Sequence, residues 1–174
     1  MTGGEPLTER KLLKAFHSLD AALPEPVTLI VGGGTALMLA YHFPVRTTDV
    51  DAYPRSGSPG DLDGYIKAVA RREQLPADWI NPHFATFAHV LPKDYGGRLR
   101  RIFEGERLVV EALGPEDLLV MKCFAGRAKD VGHARALLKL KPDLKLVEAR
   151  IQELIDRRVP GAEDAADFLD DLDA

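Results

Sequence analysis

VTLIVGGGTALMLAYHFPVRTTDVDAY, residues 27–53, breaks into four pieces: a strand, a triple-glycine turn, a short helix and a second strand carrying two aspartates. Val27 to Val31 is a β-branched apolar run, the composition of a strand buried on both faces. Gly32, Gly33 and Gly34 follow at once, and a backbone without Cβ lets another group come close. Thr35 to Phe43 has helical composition, and Pro44 stops it. A helix that begins where the glycines end turns its free N–H groups and positive dipole end toward the turn, a seat for a phosphate. Asp49 and Asp51, two apart on a strand, point to one face and lie roughly 6–7 Å apart at Cα from the strand rise. Two like charges so close repel unless a cation lies between them or one takes a proton. Hard oxygen ligands beside a phosphate seat point to Mg²⁺ and a nucleotide.

The rest of the composition sets bounds on that reading. A chain of 174 residues, 45% hydrophobic, is enough for one globular core with a small helical appendage. No apolar run reaches membrane-spanning length, and MTGGEPLTERKLLKAF lacks an apolar signal core, so a cytoplasmic protein without a membrane partner is expected. The single Cys123 excludes an internal disulfide framework and a cysteine-based zinc site, and the five histidines show no metal-ligand spacing. Six acids and no Lys or Arg fall in residues 159–174; taking them from a net charge of −4 leaves +2 for the body. Lys93 to Lys141 carries eleven basic residues against seven acidic ones, a mildly basic stretch able to hold nucleic-acid phosphate or simply to solvate a surface.

Residues 1–7 read as disordered. Thr8 caps a helix to about Leu23 with Leu12, Phe16 and Leu19 on one face. After Asp51, PRSGSPGD is a loop, and Asp61 or Asp63 starts a helix ending near Leu75. Trp79 and Ile80 are expected inside, and Asn81-Pro82 punctuates. Leu99–Phe103 and Arg107–Leu113 form a hairpin around Gly105. Helices are expected over Asp117–Arg127, Lys129–Leu140 and Leu144–Arg158, with a short last one over 162–172. The strand, helix, strand, helix order favours an α/β layer arrangement.

With GGGTALMLAY and RTTDVDAY in view, the chain resembles the nucleotidyltransferase superfamily, whose core is a strand, a Gly-Gly or Gly-Ser turn, a helix, and a strand bearing Asp-x-Asp. The motif stands here as Gly33-Gly34-Thr35 and, about fifteen residues on, Asp49-Val50-Asp51. DWIN at 78–81 and PEDLLVMKCFAGRAKD at 115–130 are similar to the AbiEii-like and MenT-like branch, which includes toxin-type enzymes. The resemblance covers roughly residues 27–140 and implies an α/β (α+β) fold, a mixed sheet flanked by helices with a C-terminal helical part. The expected division is a core over 1–114 and a helical part over 115–174 packed on it.

The resemblance also implies a mechanism. Asp49 and Asp51 hold Mg²⁺ on a nucleoside triphosphate, while Gly33, Gly34 and the Thr35 hydroxyl hold its outer phosphates. Arg46 either touches a phosphate or pairs with a nearby acid. Lys122 matches the family lysine and offsets phosphate charge. Asp130 matches the acid of an Arg-x-x-Asp stretch that begins at Arg127; it serves as base for the acceptor hydroxyl or orients a basic group. Two positions depart from the pattern. His133 stands where the branch often has a second acid, and Glu111 is the one candidate for the superfamily's third carboxylate. Two functions follow. The first is Mg²⁺-dependent transfer of a nucleoside monophosphate to a tRNA end or a protein hydroxyl, with the chain as the toxin opposite a cognate antitoxin. The second is a catalytically weakened protein that binds nucleotide or a partner and regulates it.

Overall fold

A computed structural model of the chain describes residues 4–172. The chain forms two compact units: residues up to 85 together with 99–112, and residues 86–98 together with those from 113 onward. The sequence alone places one boundary after 114; the structure groups 86–98 with the second unit.

The first unit carries α1 (Glu9–Ala22), β1 (Val27–Val31), α2 (Gly33–Tyr41), β2 (Val50–Pro54), α3 (Asp63–Glu73), β3 (Ile80–Asn81), β4 (Arg100–Glu104) and β5 (Leu108–Ala112). The strands make one mixed sheet in the order β3-β2-β1-β5-β4, the expected fold class. β1 pairs antiparallel with β2 and parallel with β5. β2 pairs parallel with β3, and β4 antiparallel with β5 across a bulge between Arg101 and Phe103.

Strand period and register sort the two faces. Val50, Ala52, Leu29, Val31, Leu108, Val110 and Ala112 are buried on one face. Phe16 of α1 lies 5.8 Å from Phe103 and 6.2 Å from Trp79 between ring centroids, so α1 covers that face. Asp51, Tyr53, Val109 and Glu111 lie on the other face and are only half-buried.

Several boundaries shift for local reasons. Thr8 caps α1 as expected, its hydroxyl accepting from Lys11 N at 3.2 Å. α2 ends at Tyr41, two residues early, because His42 turns left-handed and the Leu37 carbonyl takes its N–H. Ser58 and Asp61 close a capping box on a 3₁₀ turn over Pro59–Leu62, and α3 starts directly behind it at Asp63. Of the stretch expected to be disordered, residues 1–3 lie outside the described residues. Leu7 is buried, and its N–H donates to Thr47 O at 2.8 Å, so the chain there is tied down.

The second unit is helical: α4 (Pro115–Ala125), α5 (Ala128–Leu138), α6 (Leu144–Asp156) and α7 (Ala162–Leu172). Proline at the first turn opens α4, and left-handed Gly126 closes it two residues short of the expected Arg127. Buried Arg150 of α6 ties residues 89–91 to this unit. Its guanidinium donates to the carbonyls of Val90 and Leu91, each at 2.8 Å, and of His89 at 3.3 Å. These carbonyls lie on or beside a 3₁₀ stretch and find in Arg150 the partners that a helix ladder would supply elsewhere. Among the described residues no helix is long and apolar enough to cross a membrane.

One side chain staples α1 to the sheet. Asp20 accepts from the backbone N–H of Leu108 at 2.7 Å, Arg107 at 2.8 Å and Glu106 at 3.2 Å. These hydrogen bonds, Arg107 foremost, hold its carboxyl below the usual range. A depressed folded value stabilises the protein above the unfolded value, and that contribution is lost as pH falls through the folded one. Asp20→Asn is therefore expected to cost about 1 kcal/mol near neutrality, because the site is screened by solvent. The variant should also lose less stability than the parent below about pH 4; urea denaturation of both across that range measures the difference.

Candidate active site

The site is built at the junction of β1, α2 and β2. The Gly32 N–H donates to Asp51 O at 2.9 Å and continues the ladder past the last residue of β1. A Cβ on Gly32 would meet the Phe84 ring, and one on Gly33 would meet the Asp51 carboxylate. Gly33 also has φ +59, the left-handed region. The glycines therefore let an aromatic ring and a carboxylate press onto bare backbone. α2 starts at Gly33 rather than at Thr35, so Gly33 and Gly34 are themselves first-turn residues whose N–H groups have no partner within the helix.

Asp49 lies in a bend just before β2, not on the strand as expected. Its place is set through its backbone. The Asp49 carbonyl accepts the Thr47 hydroxyl at 2.8 Å and the Thr35 hydroxyl at 3.2 Å. Thr35 is fully buried, so its hydroxyl hydrogen, expected on a phosphate, goes to the Asp49 carbonyl instead. Asp51 is on β2, and Asn81 Nδ2 donates to its Oδ1 at 3.3 Å. Tyr53, on the same face, lies 5.5 Å from Phe84 between centroids. Arg46 is exposed in the loop between α2 and β2.

Glu111 falls on the Asp51 face, since Ile30 is in register with both Glu111 and Tyr53. Its carboxylate is engaged: Arg55 reaches it at 3.3 Å and Arg101 at 3.6 Å. Among the described residues no group of three or more His, Cys, Asp or Glu is placed to hold a metal ion. The two aspartates are nonetheless of the residue type that holds a hard divalent cation. Mg²⁺ is commonly bound by one or two carboxylates, with waters and substrate phosphates completing the octahedron. The Asp51 carboxylate is already set against Gly33, beside first-turn amides suited to phosphate.

Lys122 and Asp130 fall in the second unit. Asp130 is fully buried near the start of α5, and its Oδ1 accepts from Lys122 Nζ at 2.7 Å. Arg127 adds Nε to Oδ2 at 2.7 Å and Nη2 to Oδ1 at 3.2 Å. Burial pushes the Asp130 carboxyl up, but the hydrogen bonds from Arg127 and Lys122 outweigh it and hold the group low. A carboxylate so occupied is a weak proton acceptor and a strong clamp on the lysine. Burial, then the Lys122 charge, lowers the His133 imidazole, whose Nδ1 is buried without a hydrogen-bond partner. Burial pushes the Cys123 thiol up to about 12, so it behaves as a small apolar side chain.

Sequence reasoning missed Thr47, Phe84 and Asn81. The signal for Asn81 was in DWIN, but a strand of two residues has no period to read, and Asn-Pro reads as a turn. A protein-family model described as a nucleotidyltransferase of unknown function, DUF6036, matches residues 10–167. No curated protein and no solved structure matches the chain significantly.

Gly33→Ala would place a methyl where the Asp51 carboxylate sits, at positive φ. The expected cost is about 1–3 kcal/mol in urea denaturation, and more than that of Gly34→Ala, which has no positive φ and whose Cβ would come no nearer than 3.1 Å to Thr47 Cβ. Lys122→Met removes one partner of a buried carboxylate while Arg127 remains. It is expected to cost about 2 kcal/mol, less than the 3–5 kcal/mol of a wholly unpaired buried ion, measured the same way.

Proposed function

The chain belongs to the DUF6036 family of nucleotidyltransferases, and from that footing we propose that it moves a nucleoside monophosphate from a nucleoside triphosphate to a hydroxyl acceptor with the help of Mg²⁺. The observation that carries this reading is the Asp51 carboxylate pressed onto Gly33 at the start of α2, which sets an acidic ligand beside phosphate-seeking amides.

The roles follow from the chemistry of each group. Asp49 and Asp51 would hold the cation, which when bound would offset triphosphate charge. The Gly33 and Gly34 amides, with the α2 dipole behind them, take outer phosphate oxygens. Thr35 and Thr47 work one step back by fixing the Asp49 backbone. Arg46, exposed ahead of β2, is free to reach a phosphate. The roles of Lys122 and Asp130 rest on the family resemblance alone: Lys122 as a cation for phosphate charge, Asp130 as the group that holds it. The same resemblance, to the AbiEii-like and MenT-like branch, supports a tRNA end or a protein hydroxyl as acceptor and a toxin role opposed by an antitoxin.

A second reading has its own observation. Glu111, the candidate third carboxylate, is held by Arg55 and Arg101, which favours a protein that binds nucleotide and has lost its catalytic power.

One experiment separates the two. The purified chain is incubated with each labelled triphosphate, Mg²⁺ and total tRNA, beside Asp49→Ala and Asp51→Ala. Label should pass to RNA or to protein, and fall by roughly 10²–10³-fold in either variant, the scale of removing one transition-state contact. Nucleotide binding with no transfer under any condition would establish the regulator instead.

A further inference from the structure

Asp51 is the better defined of the two aspartates, and the reason lies in an element with no place in the function so far. β3 is two residues long, and everything around it serves to hold it still. Trp79, just ahead of it, is fully buried, and its indole Nε1 donates to Ile66 O at 3.0 Å. The Trp79 carbonyl takes the Val50 N–H at 2.7 Å. Ile80 is buried opposite Val50, and Asn81 stands opposite Asp51. Pro82 then turns the chain into a 3₁₀ stretch, so the strand ends once Asn81 is in place.

We propose that Asn81 is a positioning residue for the cation-binding carboxylate, acting through Asp51 and not on the substrate. This inference rests on the nucleotidyltransferase reading and adds a residue to it. Asn81 Nδ2 donates to Asp51 Oδ1 at 3.3 Å, while Oδ2 lies against the bare α-carbon of Gly33. The two oxygens of one carboxylate are thus located by two different elements, β3 and the glycine turn. That fixes the rotation of the carboxylate plane.

The residue type matters. An amide is a neutral donor, so it orients the carboxylate without cancelling its charge. Lysine or arginine in the same place would form an ion pair and compete with the cation, as Arg55 and Arg101 do for Glu111. A second acid would add repulsion. Asparagine is the side chain of this size that donates one hydrogen bond at no cost in negative charge.

The probe is Mn²⁺ alone, titrated into the full chain and followed by the electron-spin resonance of the free ion. Wild type, Asn81→Ala and Asp51→Ala are compared, each with its melting temperature measured without metal. Outer-shell partners of metal ligands typically contribute 10–100-fold in affinity. Asn81→Ala is therefore expected to weaken Mn²⁺ about tenfold or more, to leave the metal-free melt close to wild type, and to raise by a similar factor the Mg²⁺ needed for half-maximal transfer. If Asn81→Ala does not fold, Asn81→Leu, which matches the side chain in shape and lacks its donor, replaces it. Mn²⁺ affinity unchanged in the variant, with Asp51→Ala abolishing it, would overturn the role of Asn81 and leave the metal site standing. Wild type indistinguishable from Asp51→Ala would overturn the metal site and the Asn81 role together.

Discussion

The close approach of the Asp51 carboxylate to the α-carbon of Gly33 is the constraint on which the site depends. It requires a residue without Cβ at positive φ. It also requires β1 and β2 to be paired so that the chain leaves one strand where the other brings in its acid. The Gly32 N–H to Asp51 carbonyl bond makes that junction. On the proposed function, a phosphate seat and a metal ligand would be two sides of one turn, because the residues that free the helix amides are those that admit the carboxylate.

Around this junction both aspartates meet donors on their neighbours' side chains. Asp49 is held through its carbonyl by two threonine hydroxyls, and Asp51 by an amide. Glu111, on the same face, is treated differently: two arginines share it. The donors therefore differ along the face: an amide meets Asp51, and two guanidinium groups meet Glu111.

In the second unit the recurring device is a buried ion with several directional partners. Asp130 takes hydrogen bonds from Lys122 and Arg127, and Arg150 donates to three successive carbonyls. Such groups are tolerated inside only when their bonds are satisfied. Arg150 ties in residues 89–91 of a stretch, 86–98, that no hydrophobic period would assign to the helical unit.

The sequence by itself determined the pieces. Val27–Val31 and its glycine turn, the caps at Thr8 and Pro115, the hairpin around Gly105 and the four later helices are local, set by side-chain period and by Gly, Pro and Thr chemistry within a few residues. The candidate residues Gly33, Gly34, Asp49 and Asp51 were legible for the same reason, since they lie within one continuous stretch. Only the tertiary structure decided what those residues touch. The order β3-β2-β1-β5-β4 brings Asn81 beside Asp51, thirty positions away in sequence, and puts Glu111 level with Ile30 and within reach of Arg55. It likewise turned Thr35 inward to Asp49. Partners so far apart in the chain leave no spacing to read, because they meet only after strands from both ends of the first unit have joined one sheet.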